Sequence, residues 1–250
     1  IDPPPGLGMR RFRPGNDKVL EGLPEEARAV IRRFTGRVLH RSGEYEDYLR
    51  AYLASVSYAD ALLGEVLDRL EETGQAESTL IVLWSDHGWQ FGEKLAFRKF
   101  TLWERALRVP LIFAGPGVAR GVCDEPVSLL DLYPTLMAQG GGRAKHALDG
   151  CDLSPALRGD PWQRPTPVIS TWGTFEDAED MRMAFSLRSR SHRYTLYWNG
   201  GEELYDSEAD PFEHRNLLAE GASGNLRALA DSYQASMNDA IPSVAAQAGP

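Results

Sequence analysis

Between Tyr45 and Glu72 the apolar residues Leu49, Tyr52, Leu53, Val56, Ala59, Leu63, Val66, Leu67 and Leu70 recur three or four positions apart. A helix would carry them on one face, and Gly74 supplies a stop beyond its end. The pattern then changes. Thr79-Leu80-Ile81-Val82-Leu83-Trp84 is a continuous apolar run bounded by polar residues, which predicts a strand buried on both faces of a sheet sandwiched between helices. A second buried strand is predicted over 109–114, closed by Gly115-Pro116-Gly117. Ser128 precedes an apolar helix, with Asp131 three residues on as a partial capping box. Helix, strand, loop, strand and helix in this order imply an α/β layer architecture.

The character shifts near residue 166. Short strands are predicted over 167–170, 184–188, 192–198 and 203–206, with Asn199-Gly200-Gly201 as a hairpin turn that tolerates positive φ. A terminal helix is predicted over 225–238, followed by a frayed end. Three parts follow: a connecting segment over 1–44 with one short helix at 24–34, an α/β part over 45–165, and a small antiparallel subdomain over 166–250.

Composition places limits on partners. A chain of 250 residues with 42% hydrophobic and 25% charged content is ordinary for a soluble globular protein. A net charge of -9 argues against nucleic acid or an anionic membrane as the main partner, since both reward positive surface. No apolar run approaches the roughly 20 residues that span a bilayer. Cys123 and Cys151 are too few for a disulfide framework and read as two buried thiols rather than one bridge. The start, Ile1-Asp2-Pro3-Pro4-Pro5-Gly6, lacks an initiating Met and an export pattern, and reads as an interior linker of a longer chain. The compartment stays open.

The chemistry concentrates at Trp84-Ser85-Asp86-His87-Gly88-Trp89, a polar turn directly after a predicted buried strand. Open α/β sheets bind ligands beyond the carboxyl ends of their strands. Asp86 offers an anionic oxygen ligand and His87 a nitrogen, while Gly88 lets the backbone turn sharply and approach a ligand. An Asp-His pair alone is more often a cap or a surface hydrogen bond. Downstream, Arg98, Lys99, Arg105 and Arg108 suit an anion held at a metal, Lys as a point charge and Arg as a fork. A solvated basic loop is the plainer alternative. Other motifs fall away: 115–121 lacks dinucleotide-loop spacing, and neither a Walker motif nor a Gly-x-Ser-x-Gly elbow occurs. His40, His146, His192 and His214 read as structural or surface residues, and Tyr194, Tyr197, Trp198 and Tyr205 as packing for a sheet face rather than a sugar site.

An ordered set of segments carries a resemblance. Tyr52-Leu53-Ala54-Ser55-Val56-Ser57-Tyr58-Ala59-Asp60 leads to Gly64-Glu65-Val66-Leu67, then Ser85-Asp86-His87-Gly88-Trp89 and Gly92-Glu93-Lys94. Arg98-Lys99-Phe100-Thr101-Leu102-Trp103-Glu104, Arg108-Val109-Pro110-Leu111-Ile112 and Leu129-Leu130-Asp131-Leu132-Tyr133-Pro134-Thr135-Leu136 follow. Gly201-Glu202-Glu203-Leu204-Tyr205-Asp206, Asp210-Pro211 and Asn216-Leu217 complete it. Together they resemble the sulfatase family, most closely its iduronate-2-sulfatase-like branch, over residues 45 to 218.

The resemblance implies an alkaline-phosphatase-like α/β sheet flanked by helices, with a small C-terminal antiparallel β subdomain. It implies hydrolysis of a sulfate ester, of a sulfated sugar or another small molecule, at a divalent cation, usually Ca2+. Asp86 and His87 fall on metal-ligand positions, Lys99 on the catalytic lysine that contacts the sulfate, and Trp89 within the substrate-binding motif. Periplasmic or secreted relatives are the commoner setting. The family nucleophile is a formylglycine made from Cys or Ser in Cys/Ser-x-Pro-x-Arg. Cys123 is followed by Asp124-Glu125-Pro126 and Cys151 by Asp152-Leu153-Ser154, so neither fits. The formylglycine and the remaining metal ligands are expected in a missing N-terminal half. Where relatives often carry a His before the Arg-Lys pair, this chain has Lys94-Leu95-Ala96-Phe97. A phosphatase or phosphonate hydrolase of the same superfamily, or a non-catalytic sulfatase-like binding module, are the alternatives.

Overall fold

The computed structural model describes residues 20–33, 43–175, 181–219 and 221–241. The elements are α1 (Glu25–Arg33), α2 (Tyr45–Glu72), β1 (Ile81–Trp84), β2 (Gln90–Phe91), β3 (Phe97–Arg98), α3 (Glu104–Leu107) and β4 (Leu111–Ala114). They continue with α4 (Leu132–Gln139), α5 (Ser154–Leu157), β5 (Val168–Phe175), β6 (Met181–Arg188), β7 (His192–Leu196), β8 (Glu202–Asp206) and α6 (Gly224–Ala240). Strands β1 and β4 pair antiparallel, β2 and β3 form a short hairpin, and β5-β6-β7-β8 form an antiparallel meander.

Helix α2 begins with Glu46 and Asp47 in its first turn and carries Arg69 in its last, which suits the helix dipole at both ends. Gly74 takes a φ of +68° and releases the chain. Its first turns dock through aromatic edges: Tyr48 meets Phe97 at 5.1 Å and Tyr52 meets Phe91 at 4.7 Å between centroids. Near Ser128 the capping box is complete: the Ser128 hydroxyl accepts from the Leu130 N–H and the Asp131 carboxylate accepts from the Ser128 N–H. Buried Asp131 also accepts from the Cys151 N–H at 2.7 Å and pairs with Arg164, which ties α4 to the segment that leads into β5.

The meander is covered on both faces. Alternation along its strands sends Phe185, Leu187, Tyr194, Leu196 and Leu204 to one side, where Ala230 and Met237 of α6 close an apolar core. The other side presents Ala184, Ser186, Arg193, Thr195, Glu203 and Tyr205, every one buried. Leu23, Ala27 and Ile31 at α1 and Leu95, Ala96, Leu102 and Trp103 cover this side. Asn216 joins the layers: its amide donates to the carbonyls of Gly22 and Glu202 and its oxygen accepts from the N–H groups of Leu204 and Leu218. The hairpin turn is as expected, with Gly200 at a φ of +81° and the Tyr197 N–H donating to the Gly201 carbonyl at 2.8 Å.

Two expectations need correction. The strands predicted as buried on both faces are not: Trp84 is 49% exposed and Ile112 54%. Among the described residues β1 and β4 pair only with each other, and what packs on them leaves Ile81, Val82, Leu111 and Phe113 only half-buried. The cysteines are free but are not buried thiols: Cys123 is exposed in the loop after β4 and Cys151 is half-buried. His40 and the predicted frayed end lie outside the described residues. No described helix is long and apolar enough to cross a membrane.

Candidate functional site

Strand β1 ends at Trp84, and the next residues cross from the strand end to the backbone beside α3. The Ser85 hydroxyl donates to the His87 carbonyl at 2.8 Å, and the Asp86 carboxylate accepts the His87 N–H at 3.0 Å, which closes a tight local turn. The Gly88 N–H donates to the Ala106 carbonyl at 2.7 Å. A Cβ at Gly88 would sit 2.1 Å from the Arg105 carbonyl oxygen. Glycine is therefore required for backbone to lie against backbone; the close approach expected of it is to the chain itself.

This seating fixes His87. Its Nδ1 lies 2.9 Å from the Gly88 carbonyl oxygen and its Nε2 lies 2.6 Å from the Lys99 ammonium nitrogen. A carbonyl can only accept and an ammonium can only donate, so Nδ1 carries the ring proton and the Nε2 lone pair faces Lys99. The second Asp86 oxygen is 3.5 Å from the same Nε2, and the Asp86 side chain is 81% exposed. Trp89 stands beside them, its ring centroid 6.3 Å from that of His87 and 6.1 Å from that of Tyr52 on α2. The buried indole N–H of Trp89 has no acceptor among the described residues.

Lys99 follows directly on β3, and its place depends on how the segment around it is held. Lys94, Leu95 and Arg98 take φ values of +52°, +60° and +75°. Each left-handed non-glycine costs roughly 1–2 kcal/mol, so the surroundings must enforce them. Lys94 is buried, donates to the Tyr205 hydroxyl at 2.7 Å, and lies 4.1 Å and 4.0 Å from the ring centroids of Trp103 and Tyr205. Burial pulls its pKa down to about 8, with Glu203, Glu213 and Asp210 opposing. The Trp103 indole donates to Glu203 at 2.7 Å, and burial together with Glu203 holds the hydroxyls of Tyr197 and Tyr205 well above the usual range.

At the far end of the segment, Glu213 accepts from the Glu104 N–H at 2.8 Å and from the Arg193 guanidinium at 2.7 Å, and Arg193 also pairs with the Glu104 carboxylate. Burial raises the Glu213 carboxyl despite Arg193 and Lys94. At Glu104 burial acts upward too, but Arg193 and Arg188 outweigh it and the net shift is downward. Residues 94 to 104 are thus fastened to the polar face of the C-terminal meander at both ends.

Of the residues singled out in the sequence, Asp86, His87 and Lys99 come together and Trp89 stands next to them. The arginines do not join: Arg105 stacks on Phe212 at 4.6 Å, Arg108 lies 3.8 Å from Glu104, and Arg98 is exposed. Tyr194, Tyr197 and Tyr205 are buried packing residues, and half-buried Trp198 packs against Trp172. Sequence reasoning missed Lys94, Arg193, Glu203 and Glu213 as the frame of the site. The one available signal was the stretch Lys94-Leu95-Ala96-Phe97, where relatives often carry a His. Among the described residues no group of three or more His, Cys, Asp or Glu side chains is placed to hold a metal ion.

Comparisons with known proteins agree on one family. The family model described as Sulfatase matches residues 10–142, and that described as N-sulphoglucosamine sulphohydrolase, C-terminal, matches residues 92–238. A sulfatase of Formosa agariphila is 40% identical over 176 residues, 70% of this chain and 33% of that protein. The Delta 4,5-hexuronate-2-O-sulfatase of Bacteroides thetaiotaomicron is 29% identical over 88% of this chain and 48% of its own length. The crystal structure of a putative sulfatase from Bacteroides thetaiotaomicron superposes with a TM-score of 0.76 at 26% identity, covering 98% of this chain and 53% of that one. The chain therefore spans about a third to a half of the length of these relatives.

Proposed function

Since this chain belongs to the sulfatase family, we propose that it is the part of a sulfuric ester hydrolase that helps hold a metal ion and the sulfate group of the substrate. The observation that carries this reading is the convergence of Asp86, His87 and Lys99 beyond the end of β1, with the Lys99 ammonium 2.6 Å from His87. Lys99 offers a point charge to sulfate oxygens, and the Trp89 ring stands 6.3 Å from that of its partner His87. His87, locked in one tautomer by the Gly88 carbonyl, holds Lys99 in place.

The donor set fits calcium in part. Asp86 supplies the exposed carboxylate that a hard cation prefers. His87 has its Nε2 lone pair engaged by Lys99, so it serves as a ligand only if Lys99 turns to the substrate. Calcium takes six to eight oxygen ligands, and the others come from beyond this pair. When bound, the cation supplies positive charge that balances the sulfate and the charge developing in the ester.

The sulfated-sugar substrate class rests on the hexuronate sulfatase to which this chain is similar. No Cys/Ser-x-Pro-x-Arg motif occurs in the 250 residues, so the covalent nucleophile of the family has no source here. The purified chain is therefore expected to show no arylsulfate or aryl phosphate hydrolysis above a buffer blank, with calcium present. Turnover that disappears in Asp86→Ala would overturn that reading, and a preference for the phosphate ester would favour a phosphatase.

A further inference from the structure

We propose that the cavity between the β6–β7 turn, α6 and the segment leading into β5 binds an acidic sugar, one ring that carries a carboxylate or a sulfate. None of Asp86, His87, Trp89 and Lys99 lines this cavity, and the inference does not depend on the chemistry proposed for them.

The cavity holds about 340 Å3. That is the size class of a small organic ligand rather than of a lone inorganic anion. Every residue around it lies between 125 and 236, inside the stretch 92–238 that the C-terminal family model matches. Pro126, Pro165 and Pro167 are among its walls, and their fixed φ favours a wall that is formed before any ligand arrives.

The charge of the cavity runs against that of the chain. Over the whole sequence acidic residues outnumber basic ones, 36 to 27. Around the cavity, guanidinium groups of Arg164, Arg188 and Arg190 meet a single carboxylate, that of Glu125. Arg164 carries the strongest signal. Its side chain is 7% exposed and pairs with Asp131, and its Nε–H has no acceptor among the described residues. A buried charged donor left unmatched is costly, and a ligand oxygen in the cavity would satisfy it.

The other two arginines are held in place but not saturated. Arg188 donates its Nε to Glu104 at 3.3 Å and a terminal nitrogen to the carbonyls of Ser189 and Arg190. Arg190 meets Glu125 at 3.3 Å. A guanidinium has five N–H donors in a planar fork that matches the oxygens of a carboxylate or a sulfate, so each keeps donors for a ligand.

The neutral groups argue for the sugar ring. The hydroxyls of Ser189 and Tyr233 lie 3.0 Å apart, and the Ser236 hydroxyl donates to the Ser232 carbonyl at 3.0 Å, which leaves its oxygen able to accept. Groups that both donate and accept suit a polyol. The half-buried Tyr233 adds an apolar ring behind its polar tip.

Calorimetric titration of the 250-residue chain with glucuronate, a sulfated glucose, glucose and inorganic sulfate tests the proposal. At least one acidic sugar is expected to bind about tenfold or more tightly than glucose or sulfate alone, and the tighter of the two identifies the anionic group. Arg164→Lys keeps a cation for Asp131 and removes the Nε–H, whereas Arg190→Ala alters an exposed side chain. Each should weaken the acidic sugar about tenfold, and if Arg164→Lys fails to fold, Arg190→Ala decides. Lys99→Ala should leave the affinity unchanged, so a failure of the proposed ester chemistry would not touch this site. The proposal is overturned if neither acidic sugar binds, or if glucose or sulfate alone binds as tightly. Parent affinity in both arginine variants, or loss of binding in Lys99→Ala, would overturn it equally.

Discussion

Lys94 shows how much one side chain settles near the site. Its ammonium is buried against Trp103 and Tyr205, and its pKa falls to about 8 because burial disfavours the charged form. The consequence for stability has a definite sign. Below about pH 8 the folded protein carries the full cost of the buried charge. Between about 8 and the ordinary lysine value of 10.5 the unfolded chain holds a proton that the folded chain has given up, so stability rises with pH. Lys94→Met, which keeps the volume and removes the charge, should therefore gain on the parent at pH 7. That advantage should shrink by about 2–3 kcal/mol on moving to pH 10. Denaturant melts of both proteins at the two pH values decide this, and a pH-independent difference would contradict the assignment. The sequence revealed Lys94 only as a departure from a pattern, because nothing local tells a buried lysine from a solvated one. Asp86, His87 and Gly88 were readable because they follow directly on a strand end, although the obstacle that demands Gly88, the Arg105 carbonyl, is a long-range contact.

At the scale of elements, the segment from Gly92 to Glu104 acts as a bracket between the site and the C-terminal meander. Arg193 is its central bolt, touching Glu104, Glu213 and Ser186 from within the sheet. Removing one partner of a buried ion pair leaves an uncompensated charge, at a cost of about 3–5 kcal/mol. Arg193→Leu should therefore lower stability by about that much in denaturant unfolding, and adding Glu213→Gln should recover part of it. If the double variant is no more stable than the single one, the charge network is not what holds the bracket. The strands themselves were legible: β7 and β8 lie where alternation placed them, and α2 has the limits its periodicity indicated. What alternation could not show is that the polar face of β7 is as buried as the apolar one. Arg193 and Thr195 alternate with Tyr194 and Leu196 along β7 and are equally buried, and Arg193 pairs with Glu104 from a segment some ninety residues earlier in the chain.

Across the whole molecule, the two halves differ in how complete they are. The meander is closed on both faces by α1, the 94–103 segment and α6, whereas α2, β1, β4 and α4 present apolar rows to solvent. The sequence misled here for a physical reason. A continuous apolar run signals a strand meant to be buried, and it says nothing about whether the burying layer is present. Lys99 lies on the segment that the C-terminal part holds at Lys94 and Glu104, while the Asp86 side chain beside His87 is open to solvent. Asp86, His87 and Lys99 are proposed to serve sulfate-ester chemistry. Arylsulfate turnover tests this in a joined polypeptide, in which the portion of the Formosa agariphila sulfatase preceding its matched segment leads into this chain. Asp86→Ala and Lys99→Ala should each lower kcat/KM by about 100-fold or more, in the range of lost charge stabilisation at a reacting centre, while Arg120→Ala on the exposed loop leaves it unchanged. An active joined polypeptide that keeps its kcat/KM in both variants would contradict the account.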